Sequence, residues 1–333
     1  MNAGIARVVI SDYDYGDVEI ERAIIEAAGH ELVALQCRTD DELAAAAGDA
    51  AAIVCQYCRV GAKTIETVGT LRHIARYGVG VDIVDVASAT ERGVLVTNVP
   101  HDYCLDEVAD HAMALMLALA RKLREYDQAV KQGTWHWQSG RPIFRLRGSV
   151  MGILSFGNIA RAIATRGKAF GCEVVAHDPY VDDAVFASHG VKRVSFEELL
   201  ARCDVLMNQV PLSDATRGLI GAEELGAMKP TAFLINTGRG PTVDNRALRA
   251  ALDEGRLAGA GLDDLEEEPA KRHDWSPADN ALVGHPRVIV TPHAAYYSEA
   301  SIQTARSFAS EEVVRVLAGQ APRSPVNANG GRS

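Results

Sequence analysis

The sequence has no excess of basic residues and no long apolar run. Its 34 lysines and arginines are outnumbered by 44 aspartates and glutamates, which gives a formal net charge of -10. Because a phosphate backbone is bound by clustered Lys and Arg, this balance argues against a nucleic-acid surface, although a few local arginines can still attract a small anion. No stretch approaches the roughly 18 apolar residues of a membrane helix, and no basic start precedes an apolar core. We therefore expect neither a membrane span nor a secretory signal.

The six cysteines lack the spacing of a disulfide framework or a zinc site. They stand at positions 37, 55, 58, 104, 172 and 203. Cys55 and Cys58 have C-x-x-C spacing, but no second pair or histidine cluster completes a zinc set, and the pair does not open a helix as a thioredoxin-like pair does. We therefore expect reduced thiols, a cytoplasmic protein and no metal site.

The sequence is rich in short β-branched runs that alternate with helical patterns. Its 333 residues suffice for about two domains. Continuous apolar strands separated by helices predict parallel sheets covered on both faces. We predict an α/β fold of two doubly wound parallel-sheet domains, Rossmann-like or flavodoxin-like, with a cleft between them. The predicted strands are 7–11, 51–55, 73–76, 94–97, 150–154, 173–177, 205–209, 232–235, 259–262 and 288–290, and the predicted helices are 18–28, 107–124, 158–170, 195–201, 244–252 and 298–317.

The segment GILSFGNIA at 152–160 has most of a dinucleotide-binding turn. Gly157 allows the backbone to approach a pyrophosphate, and Asp178, 21 residues later at the end of the next strand, is where the ribose diol is bound. Ser155 replaces the first glycine of the fingerprint. A serine can make the tight turn if its φ stays negative, at some cost in strain, and we expect cofactor binding to survive. Because the Asp178 carboxylate repels a 2′-phosphate, NAD is favoured over NADP. The alternative is a structural turn that binds nothing.

Three later segments place reactive side chains after predicted strands, where open α/β sheets build their sites. Arg239 lies in a loop of small residues, carboxylates fill 263–268, and His293 follows a proline. Taken singly, each has a plain structural explanation: a solvated surface arginine, a solvated acidic run and a structural histidine. Their order after the cofactor turn favours a shared site.

These segments resemble the D-isomer-specific 2-hydroxyacid dehydrogenase family. The resemblance rests on residues 76–82, 98–100, 234–240, 263–269 and 291–293 together with the cofactor turn. It implies that residues 1–103 and 296–333 form a discontinuous substrate-binding catalytic domain. It also implies that residues 104–295 form an NAD-binding Rossmann domain, and that the protein is a homodimer formed through this inserted domain.

The resemblance also implies roles for individual residues. His293 donates a proton to the keto oxygen of a small 2-oxo acid, or removes it from the 2-hydroxy acid, and Glu268 orients the imidazole. Arg239 holds the substrate carboxylate. The other implied substrate contacts are Gln56, Tyr57, Arg76 and the N–H groups of Val79 and Gly80. The implied cofactor contacts are Ser155, Phe156, Gly157, Asn158, Ile159, Asp178, Val210, Pro211, Thr216, Thr237, Gly238, Arg239, Asp263 (to the nicotinamide carboxamide), His293 and Ala295.

Within the family, the nearest resemblance is to the C-terminal-binding protein corepressors. It rests on residues 293–299, on Ala109-Asp110 and on Arg76. It leaves open a second function, an NADH-sensing dimeric binding protein with little turnover. Arg76 also hints at a second anionic group on the substrate, unless it pairs with an acid such as Asp82.

Overall fold

The structure is a computed structural model that describes residues 4–272 and 274–327. They form two compact units: the first unit contains residues up to 103 and from 298 onward, and the second unit contains residues 104–297. The strands are β1 (Arg7–Ile10), β2 (Glu31–Ala34), β3 (Ala52–Cys55), β4 (His73–Arg76), β5 (Leu95–Asn98), β6 (Val150–Leu154), β7 (Glu173–His177), β8 (Lys192–Arg193), β9 (Val205–Asn208), β10 (Phe233–Asn236), β11 (Gly259–Leu262) and β12 (Val288–Val290). The helices are α1 (Glu19–Ala27), α2 (Asp40–Ala46), α3 (Ala62–Thr67), α4 (Val86–Glu91), α5 (Leu105–Ala120), α6 (Leu123–Lys131), α7 (Asn158–Ala169), α8 (Asp183–Ser188), α9 (Phe196–Arg202), α10 (Ala222–Ala227), α11 (Asn245–Asp253) and α12 (Glu299–Leu317).

The first unit is built on a five-stranded parallel sheet in the order β2-β1-β3-β4-β5. Apolar side chains from both faces form its core, because its central strands are continuous hydrophobic runs. The last helix, α12, packs against α1 and β4. Its buried Arg306 donates to both carboxylate oxygens of Glu21, at 2.8 and 2.7 Å. This buried ion pair ties the C-terminal helix to the N-terminal segment.

The second unit is built on a seven-stranded parallel sheet in the order β12-β11-β10-β9-β6-β7-β8. Helices α5 and α7 contribute to the apolar layer on one face, and α9, α10 and α11 to the layer on the other. β6 pairs with β7 on one side and with β9 on the other, so the strand order reverses there. The carboxyl ends of strands at such a reversal are the usual ligand-binding edge of a doubly wound sheet.

The two sheets confirm the predicted fold class. Five predicted strands agree residue for residue with β4, β6, β7, β11 and β12. β2 and β8 were not predicted, since both are edge strands with exposed polar residues and carry a weaker apolar signal. The sequence grouped residues 296 and 297 with the first unit, whereas the structure counts them in the second unit. The chain enters α12 only at Ser298, whose hydroxyl accepts the N–H of Ser301 as an N-cap.

The prediction of one long helix over 107–124, able to bridge two domains, was wrong. The chain forms α5 and α6, separated at Lys122, which has a left-handed φ of 53°. α5 is apolar and packs against α7, β10 and β11 of its own unit, whereas the charged α6 buries no residue. The apolar packing of α5 therefore ends before Lys122. None of the helices in the described chain is both long and apolar enough to span a membrane.

The six cysteines are buried free thiols. Burial, reinforced by the nearby Asp12 carboxylate, raises the pKa of Cys58 to about 12. Burial also raises the pKa of Cys203 to about 12. Both side chains are therefore protonated thiols at neutral pH and poor nucleophiles. In the described ranges, no group of three or more His, Cys, Asp or Glu side chains is arranged to hold a metal ion.

A buried histidine lies between two strands of the first sheet. Nε2 of His73 in β4 lies 2.8 Å from Oγ1 of Thr97 in β5, while its Nδ1 is enclosed without a hydrogen-bond partner. Burial lowers the pKa of His73 to about 3, because a charged imidazole cannot be solvated there. The ring is therefore neutral in the folded protein at pH values where an exposed histidine takes up a proton.

We expect His73 to make the protein sensitive to acid. Between pH 6.5 and about 3 the unfolded chain binds one proton more at this residue than the folded chain, so the free energy of unfolding falls as the pH drops through that window. From pH 7 to 4.5, His73→Met should lose about 2 kcal/mol less stability than the parent, measured by urea unfolding with far-UV circular dichroism. The exposed-histidine control His189→Met should follow the parent, and an equal loss in all three proteins would contradict the assignment.

Candidate functional site

The predicted cofactor and catalytic residues of the second unit all follow the carboxyl ends of its parallel strands. Loops after β6, β7, β9, β10, β11 and β12 carry them. Since parallel strands end at the same edge of a sheet, the fold gathers these loops on one edge. The predicted residues on these loops are Ser155, Phe156, Gly157, Asn158 and Ile159 after β6, Asp178 after β7, Val210, Pro211 and Thr216 after β9, Thr237, Gly238 and Arg239 after β10, Asp263 and Glu268 after β11, and His293 and Ala295 after β12.

The turn after β6 contradicts one expectation. Ser155 has a φ of 70°, in the left-handed region, so the tight turn is not made with a negative φ. The reason is local hydrogen bonding: the Ser155 N–H donates to the carbonyl of His177 at 2.9 Å, and the Phe156 N–H donates to Oδ2 of Asp178 at 2.8 Å. The Ser155 hydroxyl donates to the same oxygen at 3.3 Å. The serine therefore keeps the backbone shape of a glycine, held by the next strand.

The start of α7 presents a place for an anion. Gly157 is its N-cap, and a Cβ added there would meet no atom within 4 Å, so the turn is open toward solvent. The first N–H groups of a helix have no partner within the helix and bind phosphate well, and α7 is 12 residues long. Arg161, which the sequence analysis missed, donates from Nε to the Phe156 carbonyl at 3.1 Å. Arg161 lies four residues after Gly157, in the first turn of α7. This closeness to the glycine turn is the sequence signal that could have identified it. These residues fit the pyrophosphate of a dinucleotide.

Asp178 is buried behind this turn and accepts hydrogen bonds with both oxygens. Oδ1 accepts the N–H of Tyr180 at 2.9 Å, while Oδ2 faces the turn after β6. Arg193, also missed, donates to the Asp178 backbone carbonyl at 2.9 Å. It belongs to β8, the edge strand that the sequence pattern did not reveal. Asp178 therefore supports the turn, and its predicted contact with a ribose stays a prediction.

The loop after β10 is held close to its neighbours. The Arg239 carbonyl accepts the Thr242 hydroxyl at 2.6 Å, and Gln209 Nε2 donates to Thr237 Oγ1 at 2.6 Å. A Cβ at Gly240 would lie 1.9 Å from the carbonyl oxygen of Leu265, so only glycine fits there. This close approach sets the Arg239 loop against the acidic loop that follows β11.

The loop after β9 is closed by Thr216. Its hydroxyl accepts the N–H of Ser213 at 2.7 Å and contacts the Pro211 carbonyl at 2.7 Å. Val210 is buried under the loop. The Val210, Pro211 and Thr216 segment thus has a fixed shape at the predicted cofactor edge.

Asp263 fixes the loop that carries the candidate catalytic histidine. Its Oδ1 accepts the Thr291 hydroxyl at 2.6 Å and the Ala294 N–H at 2.9 Å, and its Oδ2 accepts the Ala295 N–H at 2.9 Å. Nε2 of His111, in α5, lies 2.9 Å from Thr291 Oγ1. Sequence reasoning missed His111 and Thr291, since neither lies in the residues predicted to react. The predicted contact of Asp263 with a nicotinamide stays a prediction.

His293 has a constrained backbone and a carboxylate beside its ring. Its φ is 54°, and its N–H donates to the Asp263 carbonyl at 2.7 Å. Nδ1 lies 3.5 Å from Oδ2 of Asp264, which is buried. The Tyr296 ring meets the imidazole edge-on, with centroids 6.1 Å apart. Asp264 was not among the predicted site residues, although it stands in the acidic run next to Asp263.

The glutamates of the acidic run have different hydrogen-bond partners. The Glu266 carboxylate accepts the N–H of Asn245 at the start of α11, at 3.0 Å, and Glu267 accepts the indole N–H of Trp275 at 2.9 Å. These two glutamates are therefore structural. Glu268 has a left-handed φ of 51° in the same loop, and its predicted bond to the imidazole stays a prediction.

In the first unit, two aspartates form hydrogen bonds to the loop that contains the predicted substrate contacts Gln56 and Tyr57. The buried Asp12 accepts the N–H groups of Gln56, Tyr57 and Cys58 at 3.1, 2.6 and 3.0 Å. The Gln56 amide binds Asp14 at both ends, accepting its N–H at 2.9 Å and donating to its carboxylate at 2.5 Å. Gln56 is 2% exposed. The structure thus uses the Gln56 side chain to shape the loop, and the loop presents Tyr57 beside it.

Arg76, at the end of β4, is paired in register with Cys55 at the end of β3. Its Nε is enclosed without a hydrogen-bond partner, and its guanidinium lies against Gly78. The Asp82 carboxylate is one of the negative groups that act electrostatically on this guanidinium. Across residues 4–272 and 274–327, the N–H groups of Val79 and Gly80 have no acceptor. Nε at the end of β4 and two N–H groups of the following loop therefore have no hydrogen-bond acceptor among the described residues.

Comparison with known proteins agrees with this arrangement. Residues 113–295 match the model of the "D-isomer specific 2-hydroxyacid dehydrogenase, NAD binding domain". The chain is 37% identical over 306 residues to a D-3-phosphoglycerate dehydrogenase of Methanocaldococcus jannaschii, an alignment that covers 91% of this chain and 56% of that enzyme. It therefore spans about half the length of that relative. It is also 37% identical over 271 residues to a glyoxylate reductase of Korarchaeum cryptofilum, covering 80% of each chain.

A solved structure gives the same result for the fold. The TT0316 protein of Thermus thermophilus superposes with a TM-score of 0.84 at 32% identity, over 96% of this chain and all of that one. The finer resemblance to the C-terminal-binding protein group stays a prediction. The chain belongs to the D-isomer-specific 2-hydroxyacid dehydrogenase family of oxidoreductases, and its second unit contains the family's domain for binding a nicotinamide dinucleotide.

Proposed function

We propose that this protein interconverts a 2-oxo acid and a D-2-hydroxy acid with NAD as the hydride carrier. The observation that carries the proposal is His293, fixed beside a buried carboxylate at the same sheet edge as the Arg239 loop and the open start of α7. A proton donor, a guanidinium and an anion-binding helix start are the three parts that this reaction needs.

The proposed chemistry assigns a separate role to each reacting group. When bound, the cofactor supplies a hydride to the carbonyl carbon of the substrate. His293 gives its ring proton to the carbonyl oxygen in the same direction and takes it back in the reverse direction, with Glu268 helping to orient the ring. In the second unit, Arg239 binds the substrate carboxylate. In the first unit, the N–H groups of Val79 and Gly80 are proposed substrate contacts.

The enclosed Nε of Arg76, which has no hydrogen-bond partner, supports a substrate with a second acidic group. A buried arginine nitrogen without a partner is costly, so such a group is usually satisfied by something that binds. A second carboxylate, a phosphate or a phosphonate would supply the missing acceptor. Tyr57 would line the same wall, whereas Gln56 is committed to Asp14.

For the cofactor, we propose NAD in preference to NADP. The Asp178 carboxylate follows β7, the position from which a carboxylate binds the ribose diol and repels a 2′-phosphate. The open turn at Gly157 and the helix start at Asn158 and Ile159 would hold the pyrophosphate.

We also propose a cytoplasmic homodimer. Buried, unpaired cysteines suit a reducing compartment. The second unit exposes Leu123, Val130, Trp135, Trp137 and Phe144 within one short segment. So much apolar surface on one segment is typical of a surface that another chain covers.

Replacing His293 should stop the chemistry without stopping cofactor binding. His293→Ala should lower turnover of a 2-oxo acid by roughly 10²–10⁴-fold, because the variant lacks the proposed proton donor. NADH affinity, measured by fluorescence titration, should stay near that of the parent. His136→Ala changes an exposed histidine and serves as the control. Normal turnover in His293→Ala would refute the assignment, and tight NADH binding by the parent without turnover of any 2-oxo acid would favour the NADH-sensing alternative.

Arg76 should decide which 2-oxo acids are used. We expect Arg76→Met to lower kcat/KM for oxaloacetate and phosphonopyruvate by roughly 10- to 100-fold, the loss expected for hydrogen bonds to a charged group. Glyoxylate and pyruvate, which have no second acidic group, should change by less than about threefold on the same reasoning. Arg76→Lys keeps the charge and should lose less. Equal losses on all substrates would show that Arg76 is structural.

Ser155→Gly should be tolerated or beneficial. Glycine adopts a φ of 70° without the steric cost that serine bears, so the free energy of unfolding should stay equal or rise by about 1 kcal/mol. NADH affinity should be kept or tightened. Ser155→Ala keeps the strained Cβ but lacks the hydroxyl bond to Asp178, so it should be less stable than the parent. A clear loss of NADH binding in Ser155→Gly would instead assign the hydroxyl a contact with the cofactor.

A further inference from the structure

The loop that follows β4 is bound to the end of the neighbouring strand β5. Arg76, the last residue of β4, is paired in register with Asn98, the last residue of β5. Beyond this pair, the Val99 N–H donates to the Gly78 carbonyl at 3.1 Å. Nδ2 of Asn98 donates to the Val79 carbonyl at 2.7 Å. Two successive carbonyls of the loop are therefore held by β5 and by the residue that follows it.

These two hydrogen bonds set the direction of the N–H groups in the same peptide groups. A peptide group is planar, and in its trans form the N–H points away from the C=O. The Gly78 carbonyl shares a trans peptide group with the Val79 N–H, and the Val79 carbonyl shares one with the Gly80 N–H. Because both carbonyls face β5, both N–H groups point away from it. Val79 is exposed, and neither N–H has an acceptor among the described residues.

The Asn98 amide is held in the one orientation that can make this contact. A carbonyl oxygen accepts hydrogen bonds and cannot donate them, so the Val79 carbonyl requires the NH2 end of the amide. At the other end, Oδ1 of Asn98 accepts the hydroxyl of Ser324 at 2.7 Å. The Asn98 N–H also donates to the Ser324 carbonyl at 3.3 Å. Ser324 thus keeps the donor end of the amide turned toward the loop.

Ser324 belongs to the C-terminal segment 323–327, which is fixed to the edge of the first sheet. The Val326 N–H donates to the Val96 carbonyl at 2.8 Å. The buried side chain of Asn327 accepts the Val96 N–H at 2.7 Å. These bonds give the segment a defined register along β5 and place Ser324 beside the end of that strand.

We propose that Asn98 is a positioning residue for substrate binding. Its amide holds the Val79 carbonyl so that the N–H groups of Val79 and Gly80 are presented to a carboxylate group of the 2-oxo acid, and Ser324 orients the amide. Fixed backbone donors suit a carboxylate, since an ionised acceptor strengthens each hydrogen bond. Asn98 acts through the loop and is not itself assigned a contact with the substrate. This inference rests on the proposed function, which counts the two N–H groups among the substrate contacts.

The test measures kcat and KM for glyoxylate at saturating NADH. Asn98→Ala should raise KM roughly tenfold and keep kcat within about threefold, because misdirected N–H groups mainly weaken substrate binding. Ser324→Ala, which lacks only the hydroxyl that orients the amide, should raise KM about fivefold. Ser324→Thr keeps a hydroxyl and should stay within about twofold of the parent. An unchanged KM in both alanine variants, or a loss confined to kcat, would overturn the inference.

Thr90→Val is the matched control on the same C-terminal segment. The Thr90 hydroxyl accepts Nδ2 of Asn327 at 3.0 Å, so this variant also removes one hydroxyl hydrogen bond to the segment but leaves the bonds of Asn98 in place. Its kcat and KM should follow the parent. A rise of KM in Thr90→Val as large as that in Ser324→Ala would assign the effect to loosening of the whole segment and overturn the inference.

A second measurement needs no turnover. Oxamate carries the carboxylate and the carbonyl of a 2-oxo acid but is not reduced, and its Kd for the NADH complex can be measured by NADH fluorescence. Kd should rise roughly tenfold in Asn98→Ala and stay unchanged in Thr90→Val. An unchanged Kd in Asn98→Ala would overturn the inference. Thermal unfolding followed by circular dichroism shows whether each variant is folded, and the milder Ser324→Ala decides if Asn98→Ala is not.

The same titration separates this inference from the proposed function. If the parent binds oxamate but turns over no 2-oxo acid, the proposed function fails and the oxamate Kd of the variants still judges Asn98. If the parent neither binds oxamate nor turns over any 2-oxo acid, both fail.

Discussion

The candidate site depends on the carboxylate of Asp263. It follows β11 directly, so its position is set by the buried sheet, and its two oxygens hold three groups of the loop after β12. That loop would otherwise be free to move, because residues 291–295 form neither a helix nor a strand. The buried Asp263 side chain thus fixes the loop that carries His293 to the end of the sheet. Oδ2 of the neighbouring Asp264 lies 3.5 Å from Nδ1 of the His293 ring.

Backbone strain is concentrated where this site is built. Four non-glycine residues in the described chain have a left-handed φ, and three of them are Ser155, Glu268 and His293. Such a conformation costs of order 1–3 kcal/mol and persists only where the surroundings impose it. Here hydrogen bonds from the next strand impose it at Ser155, and backbone bonds to Asp263 impose it at His293. The fourth, Lys122, separates two helices and has no such function.

Sequence reasoning was strongest where one physical signal dominated. Buried parallel strands are short and apolar on both faces, so five strands were located to the residue and the fold class was correct. It was weakest where the strand pattern was short, where a helical pattern continued past a break, and where several acidic residues were adjacent. The edge strand β8 consists of two exposed basic residues, and the edge strand β2 is only four residues long. The helical pattern that continued to residue 124 concealed the break at Lys122. In the acidic run, spacing alone could not separate Glu266, which caps α11, from Asp264, which faces His293.

The sequence by itself determined the two parallel α/β sheets, the family, and which loops carry the polar residues, because strand periodicity and motif order are local properties of the chain. Only the tertiary structure decided what each polar side chain does. It turned Gln56 onto Asp14, left Nε of Arg76 without a hydrogen-bond partner, gave Ser155 a left-handed backbone and brought Asp264 within 3.5 Å of the imidazole. Each of these outcomes depends on which atoms meet across the ends of different strands. No local pattern in the chain encodes such a meeting.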